Sequence, residues 1–153
     1  MKFIISILAI ALFTRDCNNK DVSGLTLPNT QQETIAIIYQ ASSRGFFKEI
    51  IVTENNITIS NDRDNQQLNS FKNNNKIWNE YLDLLAQIDI NKLPNIKAPT
   101  AMRDYDGAAH ATLTIKEENK EIKSRIFDHE YPPAEIKTLV EKLLSFKKNS
   151  SKQ

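Results

Sequence analysis

Residues 109–116 alternate without a fault: Ala109, Ala111, Leu113 and Ile115 are apolar, and His110, Thr112, Thr114 and Lys116 between them are polar. Side chains of a strand point to opposite faces with period two, so this segment is a strand with one buried and one wetted face. Such a strand cannot stand alone, and the fold must supply a layer to cover its apolar side. Glu118-Asn119-Lys120 turns the chain into Glu121–Asp128, where Ile122 and Ile126 continue the inner face. Two amphipathic stretches provide the cover. Ile77, Tyr81, Leu84, Leu85 and Ile88 recur at helical spacing over residues 76–88, with Trp78 flanking that face. Past Pro132 and Pro133, the latter suited to a first helical turn, Ile136, Leu139, Val140, Leu143 and Leu144 form a second stripe.

Earlier in the chain, Thr34–Tyr39 is a β-rich run that stops at the turn-like cluster Ser42-Ser43-Arg44-Gly45. Phe46–Thr53 resumes the strand signal, Glu54-Asn55-Asn56 turns, and Ile57-Thr58-Ile59 alternates. A polar loop over 61–67 precedes a weaker strand candidate at Leu68–Lys72, and Pro94 and Pro99 keep the chain irregular from the first helix as far as Gly107. The order ββ(β)(β)αββα predicts an α+β fold: a two-layer domain with an antiparallel sheet and both helices packed on one face.

Lys2 is followed by an unbroken apolar run from Phe3 to Phe13 and then by Cys17, the only cysteine. A short basic start with an apolar core of this length is an export signal, and a lone cysteine just past it matches the residue that bacterial lipoproteins lipidate. Residues 1–17 are therefore expected to be a signal ending at lipidated Cys17, although Thr14, Arg15 and Asp16 are not the small and apolar residues that lipoprotein signal peptidase prefers there. Cleavage near Ala9-Ile10-Ala11 and retention as an uncleaved anchor are the alternatives. Residues 18–33 form a polar tether, 34–148 a single domain and 149–153 a disordered tail. Roughly 135 residues remain after the signal, enough for one core. Without a further cysteine that core is held by packing alone.

The whole chain carries a formal net charge of +1, and loss of Lys2, Arg15 and Asp16 with the signal leaves the mature part neutral. A neutral chain without a basic stripe excludes nucleic acid as the expected partner. The asparagine run 73–75 reads as compositional bias, and the Asn56-Ile57-Thr58 sequon carries little weight after a bacterial-type signal. No Ser sits in a G-x-S-x-G elbow, no phosphate loop can be built from three glycines, and no H-E-x-x-H is present. Glu117-Glu118 is a solvated hairpin tip, and Trp78 and Tyr81 are core or core-edge aromatics.

Two places remain where chemistry can gather. If Glu118–Lys120 closes a regular hairpin, His110 and His129 both point to the outer face at one end of it, close to Tyr105, Asp106, Asp128 and Glu130. Imidazoles and carboxylates together are competent to hold a divalent metal or share protons. The plainer reading is an exposed pair of histidines with Asp106-Gly107 as a turn. The other place is the Ser42–Phe47 hairpin tip, where Arg44, Phe46 and Phe47 present a charged and aromatic patch and parity turns one of the two phenylalanines outward.

The strings YQASSRGFFK at 39–48, TISNDR at 58–63, YDGAA at 105–109 and FDHEYPP at 127–133 resemble a group of small uncharacterised lipoproteins and secreted proteins of flavobacteria and their relatives. The likeness runs over the whole domain, and Glu130 stands where that group carries glycine before the paired prolines. It implies export but no activity. In element order and in an early Gly-Phe turn the chain is also similar to emfourin-type inhibitors of thermolysin-like metalloproteases. The expected function is a non-catalytic, lipid-anchored domain of the cell envelope, without metal or cofactor, that binds a protein or envelope component. A protein inhibitor of an exported protease is one alternative. A metal-binding or hydrolytic domain using His110, His129 and Asp106 is the other.

Overall fold

Short polar turns and alternating apolar residues fold the chain into a meander of neighbouring strands. The computed structural model describes residues 35–64, 66 and 68–149. The expected signal, Cys17 and the expected tether lie outside them, as do residues 150–153. In chain order the elements are β1 (Ile35–Ser43), β2 (Phe46–Thr53), β3 (Asn56–Ser60), β4 (Leu68–Lys72), α1 (Asn75–Ala86), β5 (His110–Glu117), β6 (Lys120–Lys123), β7 (Phe127–Asp128) and α2 (Lys137–Asn149). The sheet is antiparallel throughout with spatial order β4-β3-β2-β1-β5-β6, and β7 lies beside β5 beyond the end of β6. The α+β fold expected from the sequence is the fold observed.

Ile37, Tyr39 and Ala41 of β1, Ile50 and Val52 of β2, Ile57 and Ile59 of β3, and Ala111, Leu113 and Ile115 of β5 all bury on the same face. Trp78, Tyr81 and Leu85 of α1 and Leu139, Val140 and Leu143 of α2 join them in one core. The buried line of α1 is rotated toward Trp78, leaving Ile77, Leu84 and Ile88 half-buried at its margin. Among the described residues no helix is long and apolar enough to cross a membrane.

Three details depart from the sequence reading. The asparagine run does structural work: Asn74 caps α1 by accepting from the Ile77 N–H at 2.9 Å, while buried Asn73 donates through its side chain to the Thr53 carbonyl at 2.7 Å. The proline-bearing stretch after α1 is not wholly irregular, since it holds 3₁₀ turns at Ile90–Asn95 and Met102–Tyr105. The third departure moves the candidate site. β6 pairs Ile115 with Ile122 and Thr114 with Lys123, but β7 pairs Ala111 with Phe127 and His110 with Asp128. Thr112 and Leu113 thus face Ser124, Arg125 and Ile126, one residue too many, which is a β-bulge. Ser124 holds it in place, accepting the Leu113 N–H on its hydroxyl at 2.9 Å and donating its own N–H to the Leu113 carbonyl at 2.8 Å. Every residue after the bulge changes face: Ile126, expected inside, is 46% exposed and Phe127 is buried instead.

Candidate functional site

The β1–β2 turn, the loop entering β5 and the strand β7 meet at one end of the sheet. Asp128 organises this end. Its register partner is outward-facing His110, yet its carboxylate is enclosed because the 100–103 segment folds over it. It accepts from Thr100 Oγ1 at 2.5 Å, from the Met102 N–H at 2.7 Å, from the Arg103 N–H at 3.1 Å and from Arg103 Nη1 at 2.9 Å. Burial alone would raise its pKa. The hydrogen bonds from Thr100, Arg103 and the two backbone amides outweigh burial and hold the carboxyl down at about 2. Asp128 is therefore an internal clamp for the loop rather than a group that meets a ligand. Arg103 completes the clamp by donating from Nη1 to the Thr100 carbonyl at 2.8 Å.

The clamped loop has a definite shape. Met102–Tyr105 coils into a 3₁₀ turn, Asp106 closes it with a left-handed φ of 57°, and the Gly107 N–H returns to the Met102 carbonyl at 2.8 Å. A Cβ at Gly107 would lie 3.1 Å from that carbonyl oxygen, so glycine suits the close return. Tyr105 projects from the loop at 86% exposure, and Met102 and Tyr131 are also exposed. Tyr131 is tied to the same centre through its N–H to the Asp128 carbonyl at 2.9 Å.

Beside the loop lies an open cleft of about 380 Å³ lined by Ser43, Arg44, Asp106, Gly107, Ala108, Ala109 and His110. It brings together three of the residues singled out from sequence, Arg44, Asp106 and His110. It does not include His129. The bulge turns that ring to the inner side of the sheet, so the two histidines do not share a face as regular strand parity predicts. His129 sits against Phe46 with ring centroids 5.0 Å apart, and its Nδ1 is 2.6 Å from Tyr39 Oη. Tyr39 Oη also takes a hydrogen bond from the Glu130 backbone. Burial pushes the Tyr39 phenol well above its usual range. Phe46 is thus a packed ring on the inner side and Phe47 the one on the outer side. Lys48, on the same inner parity as Phe46, is buried and donates to Asn61 Oδ1 at 3.3 Å.

Among the described residues no group of three or more His, Cys, Asp or Glu side chains is placed to hold a metal ion. The anchoring roles of Thr100 and Arg103 had no local signal, since both act on a carboxylate more than twenty residues away. Compared with known proteins, the chain matches no family model, no curated protein and no solved structure.

Proposed function

We propose that this chain is a non-catalytic, exported domain, held at a membrane through lipid on Cys17, that binds a protein or cell-envelope component. The contact surface of this reading is the Met102–Tyr105 turn together with Arg44 of the neighbouring hairpin tip. What carries it is the combination of exposure and anchoring at one place. Tyr105 is 86% exposed on a turn whose Met102 and Arg103 amides are both held by a buried carboxylate. Aromatic and arginine side chains dominate the energetics of protein interfaces, and a loop held in shape before binding loses little entropy on association. The cleft between Arg44 and His110 adds charged groups at the rim, which suits partner orientation more than chemistry. The protease-inhibitor reading draws on the same pinned, protruding turn.

The test is a pull-down from detergent-solubilised envelopes with the full chain as bait, run beside Tyr105→Ala and Arg44→Glu. Both residues are exposed, so both variants are expected to fold. A partner recovered by the wild type and reduced at least about tenfold by each variant is the expected result. Recovery unchanged by either substitution, or nothing beyond the control bait, refutes the assignment.

A further inference from the structure

The two edges of the sheet are treated differently. On the β6 side the edge strand is four residues long with three charged side chains, and the chain leaving it is tied down where the Arg125 N–H donates to the Leu93 carbonyl at 3.1 Å. Such short, charged and covered edges discourage pairing. On the other side β4 has the sequence Leu-Asn-Ser-Phe-Lys, all five residues are exposed, and neither a proline nor a bulge interrupts it. Phe71, beside buried Ile57, is 46% exposed, and Leu68 is exposed on the opposite face.

We infer that β4 is a self-association edge, on which a second copy of this chain adds its own β4 antiparallel across a twofold axis at Ser70. The backbone gives the register. The Asn73 N–H donates to the Asn55 carbonyl at 2.8 Å, one step beyond the last β3–β4 pair, Asn56 with Lys72. In an antiparallel ladder the direction of the backbone groups alternates, so Asn69 and Phe71 also bond toward β3. The N–H and C=O groups of Leu68, Ser70 and Lys72 are therefore turned to the open edge. Pairing Ser70 with Ser70 of the second copy sets Leu68 against Lys72 in both directions, and every one of these outward groups is matched.

The side chains agree with this register. Phe71 faces Asn69 of the second copy, and the two Phe71 rings become diagonal neighbours across the axis at a Cα spacing of about 7–8 Å, within aromatic reach. Each Lys72 arrives at the strand end that Asp62, Arg63 and Asp64 precede along the other copy's chain, a stretch of net negative charge. This edge is built from other residues than the Tyr105 surface, and the inference stands or falls separately from the function proposed above.

Sedimentation equilibrium of the full chain in a density-matched mild detergent is the measurement, with Leu68→Lys and the double variant Leu68→Lys/Lys72→Glu beside the wild type. Unchanged thermal unfolding of the variants shows that the domain is intact. The wild type is expected to dimerise at micromolar concentration. Leu68→Lys, which sets two like-charged pairs across the axis, should weaken the dimer about tenfold, and adding Lys72→Glu should restore it. Ser70→Pro, which removes an edge N–H not used by β3, should abolish it. A wild type monomeric up to about 100 μM, a dimer indifferent to Leu68→Lys, or a double variant that is not rescued overturns the inference. Capture of an extended peptide by an otherwise monomeric chain overturns it equally.

Discussion

Asparagine in place of Asp128 removes the charge at the centre of the loop clamp and keeps its shape. In the folded chain the carboxyl sits at about 2, against an ordinary value of 3.8, because the bonds from Thr100, Arg103 and the Met102 and Arg103 amides outweigh the cost of burial. That difference corresponds to about 2 kcal/mol of folding stability at neutral pH. The native state binds the proton more weakly than the unfolded chain does. The contribution is therefore complete above about pH 5 and drains away as the pH falls through 3.8 toward 2. Asp128→Asn should cost about 2–4 kcal/mol at pH 7, the upper part of that range arising if the Arg103 guanidinium, itself largely covered, is left without its counter-charge. Urea unfolding followed by the emission of Trp78, the single tryptophan and a core residue, reports it. The gap between wild type and variant should narrow by about 2 kcal/mol between pH 5 and pH 2. A gap that stays constant with pH, or one below about 1 kcal/mol at pH 7, would mean that Asp128 does not anchor the loop as a charged group.

Three further outcomes are expected. Truncating Leu113 or Leu143, both fully buried in the shared core, should cost about 2–5 kcal/mol in the same urea assay, whereas exposed His110→Ala should cost under about 1 kcal/mol. Glu130 holds a left-handed φ of 70° without being glycine, so Glu130→Gly should raise the unfolding free energy by about 1 kcal/mol, and a lowered melting temperature would contradict that. Metabolic labelling with a palmitate analogue should mark the wild type and not Cys17→Ser; an unlabelled wild type removes the lipid anchor from the proposal.

Much of the architecture is legible in local pattern. The alternation in 109–116, the Phe46–Thr53 run and the stripe from Ile136 to Leu143 each place their own apolar face, and burial of those faces requires two layers. Even the weak Leu68–Lys72 signal is a strand. The bulge is hidden for a physical reason. Ile122, Ser124 and Ile126 continue the period of β6, while Phe127 beside Ile126 is as apolar as its neighbour, so nothing local says which of the two turns inward. The choice is made by Ser124 bonding across to Leu113, a contact between residues eleven apart. The same distance problem hides the clamp: Asp128, singled out as a surface candidate, finds its partners in Thr100, Met102 and Arg103. The cleft is legible only in part: Asp106 and His110 are read together, whereas Arg44, read as a separate place, joins them through the pairing of β1 with β5 that sets Ser42 opposite His110. The 3₁₀ turns carry no apolar repeat long enough to show.

Between Lys123 and Phe127 the residue looped out of the ladder decides which neighbours are buried. If the ladder ran on evenly past Lys123 instead of looping out one of Ser124, Arg125 and Ile126, everything that follows would reverse. Phe127 would be delivered to the side where Thr100 and Arg103 wait, and the carboxylate of Asp128 would be driven in beside Tyr39 and Leu113 with no donor to receive it. A pairing slip of one residue, harmless in many surface connections, would here swap a core aromatic for a buried charge.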